Sequence, residues 1–129
     1  MKDFTPYGLI IGVVIILGVG IGQHYYLRWI SENMVSEIEK AETIFLTGNL
    51  ENTSSQMQDA IKKWEKHEKI LEVIIDHKDV NKISESLIEI DNKIKNFFYS
   101  DNISANFAVL KEYIKNVKEE NLFTINNVL

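Results

Sequence analysis

Gly8-Leu9-Ile10-Ile11-Gly12-Val13-Val14-Ile15-Ile16-Leu17-Gly18-Val19-Gly20-Ile21-Gly22 is an unbroken apolar run, and its reading decides the fold. No formally charged side chain occurs from Phe4 to Leu27, a stretch longer than the roughly 20 residues that carry a helix across about 30 Å of hydrocarbon. Lipid offers the backbone no hydrogen-bond partners, so a lone spanning segment must be helical. Thr5 is placed to cap such a helix and Pro6 to occupy its first turn, where a missing N–H costs nothing. Tyr7 marks one interface, while Tyr25, Tyr26 and Trp29 beside Arg28 mark the other, where amphipathic rings and a snorkelling cation sit at headgroup level. A cleavable signal peptide is the competing reading, with Lys2 ahead of the run and Gly18 and Gly20 as small residues before a cut. The run is long for that purpose and the aromatic belt would serve nothing. The expectation is therefore a retained anchor over residues 1–29.

Gly8 with Gly12, and Gly18 with Gly22, form two GxxxG pairs that would let another transmembrane helix approach closely. At about 100° per residue the two pairs lie on different faces. Orientation rests on the amino terminus and Lys2, offset by Asp3, on one side, and on Arg28 followed by an acidic domain on the other. This balance predicts a single-pass protein of the cell membrane with a cytoplasmic N-terminus and an extracytoplasmic domain.

Beyond the anchor, residues 30–129 have room for one domain. From Gln23 onward there is one glycine, Gly48, and no proline, so the punctuation of a hairpin-rich β domain is missing. Apolar residues recur at spacings of three and four: Ile30, Met34, Ile38, Ala41 and Phe45; Met57, Ile61, Trp64, Leu71 and Ile75; Val80, Ile83, Leu87, Ile90, Ile94 and Phe97; Ile103, Phe107, Leu110, Ile114 and Val117. Each set describes a helix burying one stripe. Thr47-Gly48-Asn49, Asp76-His77-Lys78-Asp79 and Tyr99-Ser100-Asp101 divide them, with Gly48 suited to a left-handed C-terminal residue and Asp79 to an N-cap. A last apolar segment, Leu122, Ile125, Val128 and Leu129, is expected to dock back on the domain. The predicted fold class is all-α, one N-terminal transmembrane helix followed by a four-helix antiparallel bundle or by two stacked αα-hairpins.

An offset of 53 residues aligns Ile30-Ser31-Glu32-Asn33-Met34 with Ile83-Ser84-Glu85-Ser86-Leu87, Phe45 with Phe98, Asn49-Leu50 with Asn102-Ile103, Met57 with Leu110 and Ile61-Lys62 with Ile114-Lys115. The match suggests an internal duplication, residues 30–65 and 83–118; a helical-hairpin pattern arising twice is the bland alternative.

The chemistry of the side chains excludes more than it offers. The net charge is −5, with 14 basic residues spread among 19 acidic ones, so there is no basic face for nucleic acid. With no cysteine, disulfides, thiol catalysis and cysteine-ligated metals are excluded. Lysine supplies every basic residue except Arg28, and isoleucine and asparagine are abundant, as in an AT-rich bacterial genome. His67-Glu68 and Asp76-His77 are the histidine–carboxylate clusters. Leu71 stands where a zinc-protease helix would carry its second histidine, and His67 and His77 are about 15 Å of helical rise apart, so neither metal nor cofactor is expected. Glu65, Glu68 and Glu72 with Lys62, Lys66 and Lys69 read as i,i+4 ion pairs on a solvated face. There is no nucleophile elbow or phosphate loop, and an enzyme is not expected. Trp64 falls at a core register, with lining a groove as its functional alternative; Trp64, His67 and His77 are the candidate interaction residues. His24 sits at the outer end of the anchor, where it can stay neutral and hydrated. Asn52-Thr53-Ser54 and Asn102-Ile103-Ser104 fit the glycosylation sequon, which matters only in a eukaryotic secretory pathway.

The order of parts is a positive start, one span, an amphipathic helix and a Gly-Asn turn. Then come a helix with Trp64-Glu65-Lys66, the Ile75-Asp76-His77-Lys78-Asp79 junction, two further helices and a terminal Asn127-Val128-Leu129. This order resembles the bacterial family called domain of unknown function 4363, over nearly the whole chain. The resemblance implies a small single-span protein of a spore-forming or related low-GC bacterium and carries no activity. The expected function is a membrane-anchored helical module that binds a protein partner in the membrane or envelope, with homo-oligomerisation open. The alternative is an extracytoplasmic small-ligand sensor acting through an associated membrane protein.

Overall fold

The computed structural model describes residues 5–96 and 103–128, and side chains for 6–96 and 103–120. Phe97, Phe98, the Tyr99-Ser100-Asp101 junction, Asn102 of the second sequon and Leu129 lie outside the described residues. Every described element is helical: α1 (Thr5–Leu46), α2 (Leu50–Ile74), α3 (His77–Lys95) and α4 (Ile103–Val128).

The apolar run does not end in a joint. It continues into the first amphipathic stretch as one helix of 42 residues, about 63 Å long, because no glycine or proline intervenes between Gln23 and Phe45. The boundary expected at residue 29 thus falls inside a helix. The outer half of α1 is already core at Leu27, which is 1% exposed. The inner half is bare: Leu9 to Ile16 present their side chains outward, and this helix is long and apolar enough to cross a membrane.

Short connections turn the chain back on itself. After α1, Gly48 takes φ +85° and donates to the Phe45 carbonyl at 3.0 Å, the left-handed C-terminal residue expected of a glycine. Asn49 then caps α2, its side-chain oxygen accepting from the Asn52 N–H at 3.0 Å. The next cap is Asp76 rather than Asp79: extended at φ −61°, ψ 134°, Asp76 accepts from Lys78 N–H through its carboxylate. Asp79 falls instead in the first turn of α3, where its charge suits the positive end of the helix dipole. α4 runs unbroken through Leu122, Ile125 and Val128, whose side chains lie outside those described.

α1 packs on α2 and α4, and α3 packs on α2 and α4. The stripes read from spacing form the shared interior, with Ile30, Met34, Ile38, Met57, Leu87, Ile90, Phe107 and Leu110 at most 1% exposed. Phe45 is only partly buried but stacks obliquely on Phe107 at 6.0 Å. On α2 the register is turned slightly from expectation: Ala60 is fully buried and Ile61 only partly. The bulk of the neighbouring Trp64 and the small Ala60 together fill that layer. The 53-residue offset pairs buried positions with buried positions at Ile30 and Ile83, Met34 and Leu87, Ile38 and Asp91, Ala41 and Ile94, Met57 and Leu110, and Trp64 and Val117.

Candidate functional site

Tertiary packing sets Trp64 and His67 in the half of α2 that lies beside the end of the apolar run of α1. Trp64 is 4% exposed and fills the interior. Its indole N–H donates to Ser84 Oγ at 2.8 Å, and Ser84 stands 3.0 Å from both Glu68 Oε1 and the Val80 carbonyl. The single hydroxyl proton of Ser84 goes to one of these two acceptors while its lone pair takes the indole. A large apolar ring with one polar handle is thus buried with its handle satisfied.

His67 lies one turn along α2. Its Nδ1 is 2.7 Å from Tyr26 Oη, and its ring meets the edge of Trp29 at 5.5 Å, with Tyr26 and Trp29 6.3 Å apart. Tyr26 and Trp29, expected as belt residues, join α1 to α2 at the end of the apolar run. His77, by contrast, is exposed at the α2–α3 turn, 4.0 Å from Glu72. The two histidines are not brought together, and among the described residues no three His, Cys, Asp or Glu side chains are arranged to hold a metal ion. His24 packs edge-on against Tyr25.

Among the described residues the expected ladder of ion pairs on α2 is not seen: Lys62, Glu65, Lys66 and Lys69 are exposed. Glu68 turns to Ser84. On the neighbouring face Lys63 reaches Asn33 at 3.2 Å and Glu37 at 3.3 Å, and Gln56 donates to Glu37 at 2.7 Å. Burial pushes the Glu37 carboxyl upward, but the hydrogen bonds from Gln56 and Lys63 and the charges of Lys63 and Lys40 outweigh it and hold the carboxyl below its ordinary value. Asp91, 5% exposed, is met by Lys95 at 2.8 Å and by Ser54 and Gln58 at 3.4 Å. Lys111 and Glu42 tie α4 to α1 at 2.8 Å. Apart from the Lys95–Asp91 pair within α3, sequence reasoning missed these cross-links because their partners are 16 to 69 residues apart and polar residues carry no periodic signal of whom they will face.

In the apolar run, a Cβ built on Gly12, Gly18 or Gly22 would meet no atom within 4 Å. On the domain surface a shallow depression of about 450 Å³ along α3 is lined by Glu85, Ile88, Glu89, Asn92, Lys93 and Asn96. A second, of about 420 Å³, lies between α1 and α2.

Neither the curated proteins nor the solved structures contain a match to this chain. One family model does match, over residues 21–128, taking in the end of the apolar run, the Tyr26–Trp29–His67 join and all four packed helices. On that coverage the chain belongs to the family described as Domain of unknown function (DUF4363).

Proposed function

We propose that this protein is a single-pass membrane protein whose helical domain is an interaction module for another protein of the membrane or envelope. The observation that carries this reading is the filled interior. Nine residues drawn from all four helices, Leu27, Trp64, Leu71, Ile83 and Ile114 among them, enclose a void of only about 10 Å³, at the lower limit for one water. A small-molecule site takes hundreds of cubic ångströms, so among the described residues this void supports recognition at the outer faces over a ligand held inside the domain. The contacts of α1 with α4 and of α2 with α3 support a closed antiparallel four-helix bundle over two hairpins stacked open. The bare, uncharged inner half of α1 supports the anchor, and the charge balance around it supports a cytoplasmic N-terminus with the domain outside. The reading is non-enzymatic, and the glycine faces of α1 are where a second membrane helix would pack.

Ile88 offers the best probe, being apolar and 52% exposed in the depression along α3. A photoreactive residue at Ile88 in the full-length protein, crosslinked in its native membrane, is expected to capture one recurrent membrane protein. That capture should disappear when Glu85 and Glu89 beside it are changed to lysine. Self-crosslinks alone would overturn the reading in favour of a homo-oligomer.

A further inference from the structure

Resting on the anchored reading above, we infer that the α2–α3 end of the domain lies in the headgroup layer of the same membrane, with Ile70 and Val73 against lipid. Three contacts set the geometry. Gln56 meets Glu37, Lys63 meets Asn33 and His67 meets Tyr26, so α2 runs antiparallel to α1 and back toward the anchor. Tyr26 belongs to the aromatic belt. Ile70 and Val73 lie three and six residues beyond His67, about 4.5 and 9 Å further along the helix, which sets them alongside the end of the apolar run.

Both are large apolar residues turned outward. Ile70 is 51% and Val73 85% exposed. At about 100° per residue they share one arc of α2 with Lys62, Lys66 and Lys69; Lys62, Lys66 and Lys69 are exposed as well. Apolar side chains flanked by lysines on one helix face are the chemistry of an interfacial segment on anionic lipid, where each lysine near the surface adds to the attraction. The turn Asp76, His77 and Lys78 that follows Val73 is charged and exposed, side chains suited to the headgroup layer and costly in hydrocarbon.

The chain has no cysteine, so single substitutions accept a spin label at one place. Full-length Ile16→Cys, Ser55→Cys and Val73→Cys proteins would be labelled and reconstituted into vesicles of phosphatidylethanolamine and phosphatidylglycerol. Their accessibility to oxygen and to a water-soluble nickel chelate would then be compared. Position 16 should favour oxygen, position 55 nickel, and position 73 should show an oxygen-to-nickel ratio several-fold above that at 55 and below that at 16. A ratio at 73 equal to that at 55, with 16 in lipid, would overturn the lipid contact while leaving the anchor intact. Shielding of 73 from both reagents would overturn it in favour of a protein or a second copy covering the patch. A water-like reading at 16 would remove the anchor itself, and the lipid contact with it.

Discussion

At Trp64 the sequence named a core position and the structure adds what holds it. Because the indole nitrogen and Ser84 satisfy each other, Trp64→Phe should cost about 2 kcal/mol, one hydrogen bond plus the small cavity left by the narrower ring. Trp64→Ala should cost about 3–5 kcal/mol through the cavity it leaves. Thermal melts of the detergent-solubilised protein separate the two. Glu37 makes the opposite kind of contribution, one that depends on pH. Its carboxyl is held below the ordinary 4.5, so its ionised form stabilises the folded protein at neutral pH. That stability is lost as pH falls through and below that ordinary value. The wild type should therefore lose more stability on acidification than Glu37→Gln, and melts across an acid pH series would show the two curves converging. Neither partnership was legible beforehand, since Ser84 and Gln56 look like solvated residues until a facing helix supplies the indole or the carboxylate.

At the scale of the element, boundaries were read best where backbone chemistry leaves little choice. Gly48 is the case in point: with φ +85°, a Cβ is strained even though the space around it is open. Gly48→Ala should destabilise the domain by about 1 kcal/mol, and Asn49→Ala by a similar amount through the lost cap. The continuity of α1 is a stronger claim. Glu32 is exposed and pairs with Arg28 on the same helix, so Glu32→Ala should change stability by less than about 0.5 kcal/mol. Glu32→Pro should cost about 3 kcal/mol or more, because it removes one rung of the helix and clashes with the preceding turn. Equal melting temperatures for the two variants would mean that the span and the domain are jointed near this residue.

At the scale of the molecule, four helices share one interior, and none of them buries its stripe without the others. Unfolding of the domain should accordingly be a single cooperative transition. In a Trp29→Phe background the fluorescence of Trp64 reports the packed interior around it, and its melt should coincide with loss of helix followed by circular dichroism. Separated transitions would mean that the α1–α2 and α3–α4 hairpins fold as independent units, as two stacked repeats would allow.

Sequence alone determined the all-helical class, the apolar segment and nearly every core position, because helix periodicity and hydrocarbon length are local properties that a chain cannot hide. It also located the turns, through Gly48, Asn49 and the Asp76 junction. Only the tertiary structure decided that α1 is one rod through the boundary, that Tyr26 and Trp29 close on His67, and that Trp64 is satisfied from α3. It alone set Ile70 and Val73 beside the end of the apolar run. These depend on which residues face one another across helices, and that is fixed by the packing of whole stripes, which no short stretch of sequence encodes.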